Sequence, residues 1–118
     1  MRKERHCVLS IAGFDPSGGA GVLADIKTFE QHKVQGMGVV TGLTFQNDSE
    51  FDGVKWVETT EIEKQIEILC RKFKFEFIKL GIELFERKAP FFKAVENFHH
   101  KPHLSSVGYL AKRFPSCN

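Results

Sequence analysis

The sequence predicts an α/β fold, a parallel sheet flanked by helices, and three observations carry that prediction. Apolar runs at residues 7–12, 36–45 and 75–80 have the length and composition of buried strands. Between them, apolar residues recur at helical spacing, first Val22, Ile26 and Phe29, then Ile62, Ile66, Leu69, Cys70 and Phe73. A glycine-rich segment, 13–21, joins the first run to the first helical stretch. Strand, glycine loop, helix is the opening of a βαβ unit.

Each element follows from local chemistry. The segment 13–21 holds four glycines and Pro16 in nine residues, so the backbone can turn sharply or approach a ligand closely. In the helix after it, Leu23 widens the apolar face while Lys27, Glu30 and Gln31 stay outside. The second strand ends in a polar loop, 46–50, and the alternation of 53–57 predicts a short strand. Thr60 and Glu63 stand at capping-box spacing and predict the start of the second helix there. Gly81 closes the third core strand. A last helix is expected at about 88–98, with Pro90 in its first turn and Phe91, Val95 and Phe98 facing the core. In such a sheet a ligand belongs at the carboxyl ends of the strands.

Composition narrows the class of function. A chain of 118 residues, 42% hydrophobic and 27% charged, suits one globular domain rather than a disordered, fibrous or membrane chain. A net charge of +2, with 17 basic residues dispersed among 15 acidic ones, gives no nucleic-acid footprint. No run approaches the roughly 18–20 apolar residues of a membrane span. Residues 1–6 lack the features of a signal peptide, so a cytoplasmic protein is expected. Cys7, Cys70 and Cys117 form neither a disulfide framework nor a CxxC metal pair. His99, His100 and His103 have no carboxylate or Cys at ligand spacing, so no metal site is expected. Ten of the 12 phenylalanines lie from Phe45 onward.

The glycine loop is neither a Walker phosphate loop, since no Gly-Lys-Ser/Thr follows Gly21, nor a GxGxxG fingerprint. It reads equally as a structural turn or as a wall of backbone amides around a small molecule. Asp15 and Asp25 bracket it; Asp25 either complements the helix dipole or accepts a hydrogen bond from a ligand hydroxyl. Gln46 and Asn47 lie where an inner strand meets its loop, on the sheet edge that carries the glycine loop. A Gln amide both donates and accepts, which suits the edge of a heterocycle with an exocyclic amine.

Taken together, residues 9–29, with Ala12-Gly-Phe-Asp-Pro-Ser-Gly-Gly-Ala-Gly21 and Ala24-Asp-Ile-Lys-Thr-Phe29, closely resemble the N-terminal signature of the hydroxymethylpyrimidine/phosphomethylpyrimidine kinases of thiamine biosynthesis. Val40-Thr-Gly-Leu-Thr-Phe-Gln-Asn47 and Ile78-Lys-Leu-Gly81 are similar to that family's second and third segments. The resemblance covers about 7–98 and implies the N-terminal part of a ribokinase-like fold, with 99–118 a divergent tail. It implies a kinase, a transferase that phosphorylates an aminopyrimidine alcohol and then its monophosphate, with ATP and Mg as co-reactants. By position, Gly13 and Ala20 would form a backbone wall, Asp25 would contact the substrate's polar group, Thr44 would line the pocket, and Gln46 would bind the aminopyrimidine edge. Ile82 stands where the family usually has Met.

Nothing after Phe98 matches the family's Asp-Pro-Val strand, its glycine-rich anion hole or its adenine pocket. No catalytic, ATP-binding or metal residue is therefore expected in this chain, and a truncated or frame-shifted product is the expectation. A sheet ending at its third strand would leave an exposed edge, so homo-oligomers are left open. A pyridoxal-type kinase fragment and a non-catalytic small-molecule-binding domain are the alternatives.

Overall fold

The computed structural model describes residues 5–81 and the backbone of 110–113. In order the elements are β1 (Cys7–Phe14), α1 (Gly21–Gln31), β2 (Gln35–Gln46), β3 (Phe51–Trp56), α2 (Thr59–Cys70), β4 (Phe75–Leu80) and β5 (Leu110–Arg113). They form one sheet in the order β3-β2-β1-β4-β5. The expected helix at 88–98, Ile82 and the histidines at 99–103 lie outside the described residues.

The α/β fold is as expected, and its centre is parallel: β1 pairs in parallel with β2 on one edge and with β4 on the other. The two outer strands differ from the expectation. β3 runs antiparallel to β2, and β5 antiparallel to β4. Four residues separate β2 from β3, far fewer than the dozen or so that a parallel crossover needs, so that connection must be a hairpin. Asn47 builds the turn. Its side-chain oxygen accepts from the Ser49 and Glu50 amides at 2.9 and 2.8 Å. The edge of β4 expected to stand open is paired with β5, from Phe77 opposite Arg113 to Leu80 opposite Leu110.

Alternation along β1 separates the two sheet faces. Leu9 and Ile11 join Val39, Ile62, Ile66, Cys70, Phe75, Ile78 and Leu80 in one buried cluster beneath α2. Ser10 points the other way, towards α1, where its hydroxyl donates to the Asp25 carboxylate at 2.7 Å. Lys79, opposite Ser10 across the β1–β4 pair, is ion-paired with the same carboxylate. These side chains are only 19% (Lys79) and 10% (Asp25) exposed, so the three groups form a polar clamp between helix and sheet. Asp25 lies beyond the first turn of α1, so the dipole reading of this residue fails on position.

Two helix ends were not marked in the sequence. α2 starts at Thr59, with Glu58 as N-cap, and the capping box is Glu58 with Glu61 rather than Thr60 with Glu63. The Glu61 carboxylate accepts from the Glu58 amide at 3.1 Å. Farther along α2, Gln65 accepts from the Val40 N–H at 3.0 Å and donates to its carbonyl at 2.9 Å. It thereby serves the β2 backbone where β3 does not reach, since the hairpin pairing begins at Gly42. α1 ends with Lys33 in the left-handed region, φ 59°, where a glycine would have signalled the stop.

The loop from β1 to α1 is organised by Asp15, which is 5% exposed. Asp15, Pro16 and Gly18 take the first, second and fourth places of a turn closed by the Gly18 amide on the Asp15 carbonyl at 3.0 Å, as these residue types prefer. The Asp15 carboxylate accepts from the Ser17 hydroxyl at 2.7 Å, the Ser17 amide at 2.9 Å and the Gly19 amide at 3.1 Å. The Ser17 hydroxyl above all, with the loop amides, holds the Asp15 carboxyl below its ordinary value, against burial that pushes it up. Gly21 then brings the chain back onto β1: its φ is +65°, and a Cβ there would lie 2.1 Å from the Gly13 carbonyl oxygen. No helix among the described residues is long and apolar enough to cross a membrane.

Two predictions follow from these carboxylates. Lys79→Met removes the ammonium partner of the largely buried Asp25 carboxylate, and urea unfolding should register a loss of about 3 kcal/mol; a loss below about 1 kcal/mol would mean the clamp is not holding α1. A depressed Asp15 pKa contributes stability above the unfolded value, about 3.9, and that contribution disappears as pH falls through the lower folded value. Stability followed from pH 6 to pH 2 should therefore fall less steeply in Asp15→Asn than in the parent, and parallel curves would rule out this role.

Candidate functional site

Because β1 and β2 are parallel, the loop after β1 and the end of β2 emerge at the same edge of the sheet. A cavity of about 320 Å³ opens there, in the size range of small-molecule sites. The loop supplies Gly13, Asp15, Ala20 and Gly21 to its lining; β2 supplies Gly42, Thr44 and Gln46. The third side comes from the hairpin strand, through Phe51, Val54 and Trp56.

Four of the five residues singled out in the sequence, Gly13, Ala20, Thr44 and Gln46, thus meet around one cavity. Asp25 is not in its lining. The Asp25 carboxylate is engaged by Ser10 and Lys79 between α1 and the sheet, so it positions the helix that follows the loop. Asp15 is the carboxylate at the cavity, and its oxygens are already engaged by the loop.

The polar part of the lining is a short relay. Gln46 donates through its side-chain nitrogen to the Thr44 hydroxyl at 2.7 Å, and that hydroxyl donates to the Phe14 carbonyl at 2.8 Å. The relay ties the end of β2 to the end of β1, beside the residue where the glycine loop begins. Ala20, the residue before α1, makes no side-chain cap, and no acidic residue occupies the first turn of this helix. The start of α1 therefore meets the cavity through backbone alone.

The aromatic wall was missed in the sequence. Phe51 and Trp56 are 64% and 37% exposed, large apolar surfaces left open at the cavity mouth. Gly42 makes room for Trp56: a Cβ there would lie 2.9 Å from the indole Cε3. The signal was present in the four-residue connection to β3. It forces a hairpin, which sets Val54 opposite Thr44 and Trp56 opposite Gly42. Among the described residues no three His, Cys, Asp or Glu side chains gather as a metal site would require.

Comparison with known proteins agrees with this architecture. The sequence model of the family described as phosphomethylpyrimidine kinase matches residues 15–106. The hydroxymethylpyrimidine/phosphomethylpyrimidine kinase of Aquifex aeolicus is 38% identical over 74 residues, which are 63% of this chain and 29% of that enzyme. The crystal structure of phosphomethylpyrimidine kinase from Clostridium difficile superposes with a TM-score of 0.72 at 30% identity, over 90% of this chain and 49% of that one. The pyridoxal kinase of Staphylococcus aureus in complex with pyridoxal superposes with a TM-score of 0.62 at 30% identity, over 78% of this chain and 36% of that one. The fold is that of the ribokinase-like kinases, in the part that this chain spans. The chain covers under a third of the Aquifex relative's length and about half of the Clostridium chain. With a family match that spans residues 15–106, most of the chain, this chain belongs to the phosphomethylpyrimidine kinase family.

Proposed function

We propose that this chain forms the acceptor-binding part of a kinase that phosphorylates a hydroxymethyl aminopyrimidine, and then its monophosphate, in thiamine biosynthesis. The observation that carries the reading is the convergence of Gly13, Ala20, Thr44 and Gln46 on one cavity at the carboxyl edge of the sheet. The reading assigns each surface a task. Gln46 binds the polar edge of the ring, Gly13 and Ala20 form the backbone wall, and the start of α1 faces the group to be phosphorylated. Phe51, Val54 and Trp56 cover the apolar faces of a flat ring, which favours an aromatic heterocycle over a sugar.

In the family the phosphoryl group comes from ATP with Mg, which supplies charge neutralisation in the transfer. The described residues do not fit that pair. The cavity's carboxylate, Asp15, is committed to loop amides and a hydroxyl, and no second acidic or imidazole ligand stands with it. No transfer step is therefore routed through this part of the chain. What it contributes is positioning, the removal of one reactant's freedom before chemistry begins.

A pyridoxal-type ring is the second reading, supported by the likeness to the Staphylococcus pyridoxal kinase. Titration distinguishes the two. Trp56 is the single tryptophan of the chain and lines the cavity, so its emission reports occupancy directly. The hydroxymethyl aminopyrimidine should change that emission saturably and bind more tightly than pyridoxal. Gln46→Ala should weaken the aminopyrimidine about tenfold, the loss of about 1.4 kcal/mol expected for one hydrogen-bonding side chain. Tighter binding of pyridoxal would favour the second reading, and binding of neither would overturn both.

A further inference from the structure

The hydrogen bonds around Thr44 determine more than the position of Gln46. A carbonyl oxygen can only accept, so the Thr44 hydroxyl must spend its single proton on the Phe14 carbonyl, 2.8 Å away. Towards Gln46, at 2.7 Å, the same hydroxyl can then only accept. This forces the Gln46 amide to turn its nitrogen to Thr44. The amide carbonyl oxygen, which has no partner among the described residues, is left for whatever enters the cavity, together with the second N–H. A reversed amide would set two lone-pair oxygens against each other at hydrogen-bond distance.

From this relay we infer that Thr44 is a positioning residue that fixes the hydrogen-bonding sense of Gln46 and makes the site select rings bearing an exocyclic amine over rings bearing an oxo group. An amine donates to the fixed carbonyl oxygen, and the adjacent ring nitrogen accepts from the remaining N–H. An oxo ring presents the opposite pattern, a carbonyl oxygen beside a ring N–H. To bind it Gln46 must flip, lose its bond to Thr44 and leave two acceptors facing. A glutamine free to rotate would accept either ring, so discrimination resides in Thr44 rather than in Gln46 alone. A mismatch that leaves polar groups unpaired discriminates far more strongly than a small change of shape.

The inference rests on the ring-binding reading of the cavity, and its test separates the two. The hydroxymethyl aminopyrimidine and its oxo counterpart are titrated into the parent chain, Thr44→Val and Thr44→Ser, with Trp56 emission as the readout. The parent and Thr44→Ser should prefer the amino ring by about tenfold or more, the worth of one well-formed polar contact. In Thr44→Val the preference should fall to within about threefold, because the valine returns rotational freedom to the amide. An equal weakening of both ligands, with their ratio unchanged, would reduce Thr44 to a structural residue and overturn the inference. A second readout needs neither ligand nor a folded valine variant. In the parent labelled with nitrogen-15 at glutamine, one Gln46 side-chain proton should exchange with solvent more slowly than those of exposed glutamines. Exchange as fast as theirs would overturn the relay, whereas a protected proton with no ring bound would remove only the functional reading.

Discussion

β1 is the constraint on which the rest of the structure depends. Its six inner residues are buried, and both its edges are taken by parallel neighbours. A strand in that position cannot meet a ligand along its length, so β1 can contribute to a site only where it ends. Parallel pairing brings the end of β2 to the same edge, and the hairpin sets β3 beside it. The cavity is thus a consequence of sheet topology, with its chemistry set by the few residues that leave the sheet there.

Two buried carboxylates a short distance apart in sequence serve that edge differently. Asp15 is surrounded by amides and a hydroxyl of its own loop, which keep it charged and keep the loop in one shape. Asp25 is met by a hydroxyl and an ammonium from two adjacent strands, which hold α1 on the sheet. Neither arrangement leaves a carboxylate idle in the cavity. What lines the cavity besides is loop backbone, the Gln46 amide and aromatic side chains.

Much of this was legible in the sequence, for identifiable physical reasons. Period and composition marked β1, β2, α1, α2 and β4 because burial on both faces of a sheet, or on one face of a helix, leaves an apolar pattern that few other structures produce. Gly13, Ala20, Thr44 and Gln46 could be chosen because they match a family signature and lie at one sheet edge. The clamp at Asp25 was not legible because its partners, Ser10 and Lys79, are 15 and 54 positions away, and nothing local announces it. The antiparallel edges and the aromatic wall of Phe51 and Trp56 depend on pairing across strands, which the pattern of a single strand does not encode. Lys33 marks the limit on boundaries: a helix that ends in a left-handed lysine carries no stop signal.

The central claim is that the carboxyl-edge cavity, bounded by the glycine loop, β2 and the hairpin, is where the ring is held. Mapping of amide chemical shifts during titration with the hydroxymethyl aminopyrimidine tests it most directly. The account predicts that the largest changes fall on Gly13, Ala20, Gly21, the Gln46 side chain and the Trp56 indole, all of which line the cavity. Changes confined to the groove formed by Leu23, Lys27 and Gln31 on α1 would contradict it and move the site to another face of the molecule.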